Sequence, residues 1–161
     1  MTVNRDDYNQ ALNAAYFFLK FRLRTKKEMI DYLYKKSIKH KWTEELIAEV
    51  ITKLEAQDYI NDKKFIEAFV DSRTRNKPKS QFVLTIELLR LGISKDLIDD
   101  YFSKNPADNE QLAVSALEKK YHLFKKLPYL KRKEKATRYL INRGFSFDDI
   151  RKAIDHLLGK E

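Results

Sequence analysis

The feature that most constrains this chain is a helix joint that it uses more than once. Leu88-Leu89-Arg90-Leu91-Gly92-Ile93-Ser94 reads as the last turn of one helix, a tight turn, and the cap of the next. Gly92 suits the left-handed position after a final helical turn, where a Cβ is strained. Ser94 can accept a hydrogen bond from an orphan amide of the next helix. Ile93 and Ile98 hold the two positions of a hydrophobic staple. The joint recurs at Tyr139-Leu140-Ile141-Asn142-Arg143-Gly144-Phe145-Ser146, with Phe145 and Ile150 as the staple. A looser copy runs from Tyr32 through Ser37-Ile38 to the cap Thr43, with Lys39 to Trp42 inserted and Trp42 and Ile47 as the staple. The caps Thr43, Ser94 and Ser146 are 51 and 52 residues apart. A period of that size marks a tandem array of small units, none of which buries its apolar faces well alone.

The remaining caps divide each period into three helices. Apolar spacing predicts a first helix over about residues 6–23, with Tyr8, Leu12, Ala15, Leu19 and Leu23 as its stripe. Phe17, Phe18 and Phe21 widen that stripe, as in a helix gripped from two sides; a partner-binding aromatic patch is the sharper alternative. Thr25-Lys26-Lys27-Glu28 is a capping box, with Met29, Ile30, Leu33 and Tyr34 inside. Asn61 caps a fourth helix. Ser80 opens a fifth, with Phe82, Val83, Ile86 and Leu89 expected inside. Asp108 caps a seventh helix, Pro128 sits at or near the first turn of an eighth, and Ser146 opens a ninth. Only three glycines and three prolines are present, and no Asn-Gly or Asp-Gly turn, so a β-rich fold lacks its turn residues. The expected fold is all-α: three tandem three-helix repeats, over 5–57, 58–104 and 105–161, stacked into an elongated, curved array.

Charge follows the same period. The net charge is +9, which favours a polyanionic partner. The junction between the first and second helix of each repeat is basic: Arg22, Arg24, Lys26 and Lys27; then Arg73, Arg75, Lys77 and Lys79; then Lys125, Lys126, Lys131, Arg132, Lys133 and Lys135. The third helix of each repeat is acidic instead, through Glu44, Glu45 and Glu49, Asp96, Asp99 and Asp100, and Asp148, Asp149 and Asp155. Basic side chains at helix ends ordinarily do no more than solvate them. Threefold recurrence favours a binding edge, which could follow a phosphate backbone or an acidic protein groove. The contact candidates are Arg22, Arg24, Lys26, Lys27, Arg73, Arg75, Lys77, Lys79, Lys131, Arg132 and Lys133. The connection around Pro78 holds no apolar side chain that would need burial, so its four cations should be dispensable for folding.

Little points to chemistry. His40, His122 and His156 are scattered without ligand spacing, there is no cysteine, and no Gly-rich phosphate loop occurs. Asp148-Asp149 is explained by helix-start electrostatics. The expectation is a protein that is not an enzyme and has no cofactor. With no cleavable-signal pattern and no apolar run of membrane-span length, a cytoplasmic monomer away from the membrane is expected.

Tyr59-Ile60-Asn61-Asp62-Lys63-Lys64-Phe65-Ile66-Glu67-Ala68-Phe69-Val70-Asp71-Ser72-Arg73 resembles the central signature of RecX regulatory proteins, as do Glu87 to Ile93 and Arg143-Gly144-Phe145. The likeness runs over roughly residues 8–158 in order and spacing, mostly at core and cap positions. Asp58 and Ser80 stand where that family often has glycine, Ile66 where it often has alanine, and Ser37 where the later joints have glycine. The resemblance implies three tandem three-helix repeats. It also implies binding in the helical groove of the RecA recombinase filament on DNA, with restraint of RecA's ATPase, strand-exchange and co-protease activities. It supplies no catalytic residues. Contact with single- or double-stranded DNA would be weak or made through the filament. Two other readings compete: a direct DNA binder of helix-turn-helix type, and a helical protein–protein scaffold without nucleic acid.

Overall fold

The computed structural model describes residues 3–159, and these form nine α-helices and no strand. They are α1 (Arg5–Leu19), α2 (Lys26–His40), α3 (Glu44–Ala56), α4 (Asp62–Asn76), α5 (Gln81–Arg90), α6 (Lys95–Lys104), α7 (Asn109–Tyr121), α8 (Tyr129–Asn142) and α9 (Phe147–Leu158).

Each cap expected from the sequence is made. Thr25 and Glu28 close a capping box at α2, and Ser146 with Asp149 closes another at α9. Thr43, Asn61, Ser80, Ser94 and Asp108 accept from the amides of Leu46, Lys64, Val83, Leu97 and Gln111. Gly92 and Gly144 are left-handed, with φ of +84° and +81°. In both joints the residue after the glycine donates its N–H back to the last turn, Ile93 to the Leu88 carbonyl at 3.1 Å and Phe145 to the Leu140 carbonyl at 3.2 Å. This closure satisfies carbonyls that the helix end leaves open. In the first repeat the left-handed residue is Lys41, at φ +57°, and its N–H donates to Ser37. Asp58 is also left-handed, at φ +61°, and its carboxylate holds the side chains of Asn61 and Lys64.

The chain divides into two compact units. One takes the residues up to Glu67 together with Leu88–Leu97; the other takes Ala68–Glu87 together with the residues from Ile98 onward. Helices α4, α5 and α6 each contribute to both. The first unit is centred on Ala11, Met29, Leu33, Val50 and Leu54, and the second on Ala113, Leu117, Ala136, Leu140 and Ile154. The staple pairs Trp42/Ile47, Ile93/Ile98 and Phe145/Ile150 are all buried, as are Ile60 and Phe65, which hold the same two positions about the cap Asn61.

Five expectations are corrected. Helix α1 stops at Leu19 rather than near 23, leaving Leu23 outside it and exposed. Arg24 explains the stop, because its Nε donates to the Phe18 carbonyl, one of the groups that a continuing helix would have used. Phe17 and Phe21 are not gripped from two sides; they are 61% and 67% exposed and meet edge to face. In α5 the buried side chains are Leu84 and Leu88, one turn apart, while Phe82 is 69% exposed and Leu89 is also exposed. That helix is apolar around most of its circumference, so the sequence period carried little contrast. Tyr34 of α2 is likewise exposed. Finally, Pro78 is buried, so the connection around it does have an apolar group to protect.

Candidate functional site

The three basic junctions fold in the same places but hold their charge differently. At the α1–α2 junction, both terminal nitrogens of Arg22 reach the Glu28 carboxylate. Arg24 lies with its guanidinium 3.8 Å from the centroid of the Phe18 ring, which itself stacks on Tyr32 at 4.1 Å. Its Nη1 is 3.9 Å from Glu28. Burial raises the Glu28 carboxyl, but hydrogen bonds from Arg22 and the Thr25 amide outweigh it and hold the group below the ordinary glutamate range. Lys26 pairs with Glu55 at 2.9 Å, and Lys27 pairs with Asp31.

At the α4–α5 junction, Arg73 and Lys79 share one carboxylate, Glu87. Burial pushes Glu87 up, and the two cations more than reverse it, Lys79 contributing most. The Arg73 guanidinium also lies 4.7 Å from the Phe69 ring centroid. Arg75 pairs with Asp71 one turn back. Lys77 is exposed and makes no ion pair among the described residues.

The α7–α8 junction differs from both. Arg132 is half-buried, with Nη1 3.4 Å from the Tyr121 hydroxyl and its guanidinium 5.9 Å from the Tyr129 ring. Lys131 and Lys133 are exposed, as are Lys125, Lys126 and Lys135, and none makes an ion pair among the described residues.

Seven of the eleven candidates are therefore already engaged by carboxylates of this chain. The i,i+4 pairs Lys27/Asp31 and Asp71/Arg75 were visible in the sequence spacing. The roles of Glu55 and Glu87 were not, because tertiary packing brings them to their partners. Asp148, at the start of α9, is held below the usual carboxylate range by hydrogen bonds from Arg151 and Lys152, while Asp149 closes the α9 capping box. His40 stacks on Trp42 at 4.9 Å. Among the described residues, no three potential ligands converge on a metal position, and no helix is long and apolar enough to cross a membrane.

Three-helix units joined by glycine-closed turns and faced with basic junctions define a tandem three-helix-repeat protein. The chain belongs to the RecX family: models of the first, second and third RecX three-helix domains match residues 11–54, 61–101 and 108–154. Regulatory protein RecX of Streptococcus pyogenes serotype M3 is 34% identical over 146 residues, covering 90% of this chain and 54% of that protein. Regulatory protein RecX of Bacillus cytotoxicus is 32% identical over 155 residues, covering 93% and 56%. The chain thus spans about half the length of these relatives. The crystal structure of RecX from Lactobacillus salivarius matches with a TM-score of 0.75 at 29% identity, over 96% of this chain and 98% of that one. A second crystal structure, of a regulatory protein RecX, shares the fold with a TM-score of 0.71 at 22% identity, over 93% of this chain and 74% of that one.

Proposed function

We propose that this chain binds the RecA–DNA filament and restrains RecA's ATPase, strand-exchange and co-protease activities. The observation that carries this reading is membership of a family whose relatives are named regulatory proteins. The threefold basic junctions support it, since a filament of protein on DNA offers a repeating anionic surface to a repeating cationic one. The three repeats, over 5–57, 58–104 and 105–161, act as one binding array in this reading. Of the eleven candidate contacts, Lys77, Lys131 and Lys133 are free to meet a partner directly. Arg22, Arg24, Lys26, Lys27, Arg73, Arg75 and Lys79 must first exchange an in-chain carboxylate for it.

Helix-turn-helix reading of DNA fits less well. It places the helix after the glycine joint in the major groove, and α3, α6 and α9 expose Glu44, Glu45, Glu49, Asp96, Asp100, Asp148 and Asp155 there. Phosphates repel such helices.

The test measures RecA turnover of ATP on single-stranded DNA as this chain is titrated in. Binding of the labelled chain to DNA, to RecA and to the filament is compared alongside at two salt concentrations. Inhibition with preferred binding to the filament is expected. Unchanged turnover at a concentration that saturates the filament defeats the proposal, and binding to bare DNA alone transfers support to the DNA-binding alternative.

A further inference from the structure

The third junction keeps its charge where the other two do not. Lys125, Lys126, Lys131, Lys133 and Lys135 are exposed on one short stretch, without an ion-pair partner among the described residues. The nearby acid, Glu134, is taken by Arg138 at 2.8 Å.

This placement works against the helix that carries it. Lys131 and Lys133 lie in the first five residues of α8, where unpaired amides already concentrate positive potential. Pro128 supplies no side-chain cap, and no acidic residue falls in that first turn. Helices α1, α2, α3, α4, α6, α7 and α9 each carry an acidic residue in the first turn, and α5, which has none, keeps the Ser80 cap, so α8 is the one of the nine described helices that lacks both. A local conflict of this kind, in a chain that otherwise obeys its helix-start rules, marks a place shaped for a partner.

We infer that the α7–α8 junction is this chain's contact for the phosphate backbone of nucleic acid, an assignment that rests on the filament-binding reading and names the component this site meets. The residue type selects phosphate over acidic protein. Cores of protein interfaces favour arginine and aromatic side chains and are depleted in lysine. Mobile ammonium groups on flexible stems suit phosphates, where counterion release drives binding without fixed geometry. On α8, Lys131 and Lys135 stand one turn apart, ~6 Å along the axis, within reach of successive phosphates.

The test compares two triple variants with equal loss of charge. One carries Lys131→Gln, Lys133→Gln and Lys135→Gln. The control carries Lys39→Gln, Lys53→Gln and Lys63→Gln, all exposed and without ion pairs among the described residues. Anisotropy of labelled oligo-dT is followed over a salt series without RecA, with poly-glutamate as competitor. The α8 variant should flatten the slope of log K against log salt by up to about 2, at ~0.7 per single-strand contact, and the control should leave it nearly unchanged. The α8 variant should also melt higher than the control, because it relieves repulsion at a helix start, whereas Lys39 and Lys53 favour the last turns of their helices.

Equal slopes in the two variants reduce the effect to net charge and overturn the inference. So does poly-glutamate competing as well as DNA per unit charge, which assigns the patch to acidic protein. A lost slope with the parent's lack of effect on RecA turnover upholds this contact while defeating the filament reading. A retained slope with intact RecA inhibition does the reverse.

Discussion

The hydroxyl of Thr25 donates to the carbonyl of Leu91 at 2.7 Å, across 66 residues of sequence. Leu91 immediately precedes the left-handed Gly92 of the next repeat. Ser80 occupies Thr25's place in the second repeat, and its backbone N–H donates to Arg143, immediately before Gly144, at 3.2 Å. A second bond repeats beside the first: the Lys26 amide donates to Asp62 at 2.9 Å, and the Gln81 amide to Asn109 at 3.0 Å. The start of a middle helix is thus sealed by the glycine joint and by the first helix of the following repeat. Thr25 and Ser80 are the buried polar residues among those described. At the corresponding place in the third repeat, Pro128 has neither a hydroxyl nor an N–H to offer.

Thr25→Val should therefore cost more than loss of a surface cap. It removes the acceptor for the Glu28 amide and leaves the Leu91 carbonyl unpaired, at a cost of about 1–3 kcal/mol. Thr25→Ser keeps both bonds and should stay within about 1 kcal/mol of the parent. Chemical denaturation of both variants checks the pair; equal stabilities would mean that the hydroxyl contributes nothing.

Gly92→Ala and Gly144→Ala should both destabilise. Both residues are left-handed, which costs a Cβ-bearing residue roughly 1–2 kcal/mol. A Cβ at Gly144 would also lie 2.2 Å from Val83 Cγ2 and 2.7 Å from Ser80 Oγ, and one at Gly92 would lie 2.3 Å from Lys27 Cδ and 2.5 Å from Lys27 Cβ. The Lys27 Cβ is fixed by its backbone and cannot swing into solvent, so neither joint takes the added carbon without a shift. Thermal melts should place both variants below the parent; an unchanged melting temperature for either would show that its joint accommodates a Cβ.

Acid should weaken the fold through Glu28 and Glu87. Both carboxyls titrate below the ordinary glutamate value of 4.5 in the folded chain, so their contribution is complete above that value and fades as pH falls through the lowered one. Asp62 behaves oppositely. Burial raises it above the ordinary aspartate value of 3.8, with Glu55 and Glu28 adding to the shift, so its ionised form opposes folding at neutral pH. Asp62→Asn keeps an oxygen for the Lys26 amide and removes the charge. The variant should melt at or above the parent at neutral pH, with any gain shrinking in acid. A lower neutral melting temperature would show that the Asp62 carboxylate is needed at this helix start.

Replacing Arg73, Arg75, Lys77 and Lys79 together with alanine should lower stability, contrary to what their sequence context predicts. Glu87 loses both of its cations while remaining part-buried, and Arg73 also leaves the Phe69 ring. Leaving a desolvated carboxylate unpaired is the costly part. Lys77→Ala alone, exposed and unpaired among the described residues, should shift stability by no more than about 0.5 kcal/mol. Urea midpoints for the two variants separate the contributions.

Local chemistry made much of this fold legible. Caps, staples and left-handed glycines act over a few residues, so Thr43, Ser94, Ser146, Gly92 and Gly144 could be assigned from their neighbours alone, and their spacing exposed the repeat. The buried side of α5 could not be read that way. Its sequence is apolar nearly all round, and only packing decides that Leu84 and Leu88 turn inward while Phe82 faces water. The basic junctions divide along the same line. Their threefold recurrence is a property of the sequence, and so are the i,i+4 pairs, but the ion pairs of Lys26, Arg73 and Lys79 are set by carboxylates that packing brings to them. Glu55 reaches Lys26 from 29 residues away, and Glu87 reaches Arg73 from the far side of Pro78. Three similar-looking clusters thus became two largely compensated junctions and one whose lysines make no ion pair among the described residues, because charge pattern is written along the chain while charge compensation is a matter of distance in space.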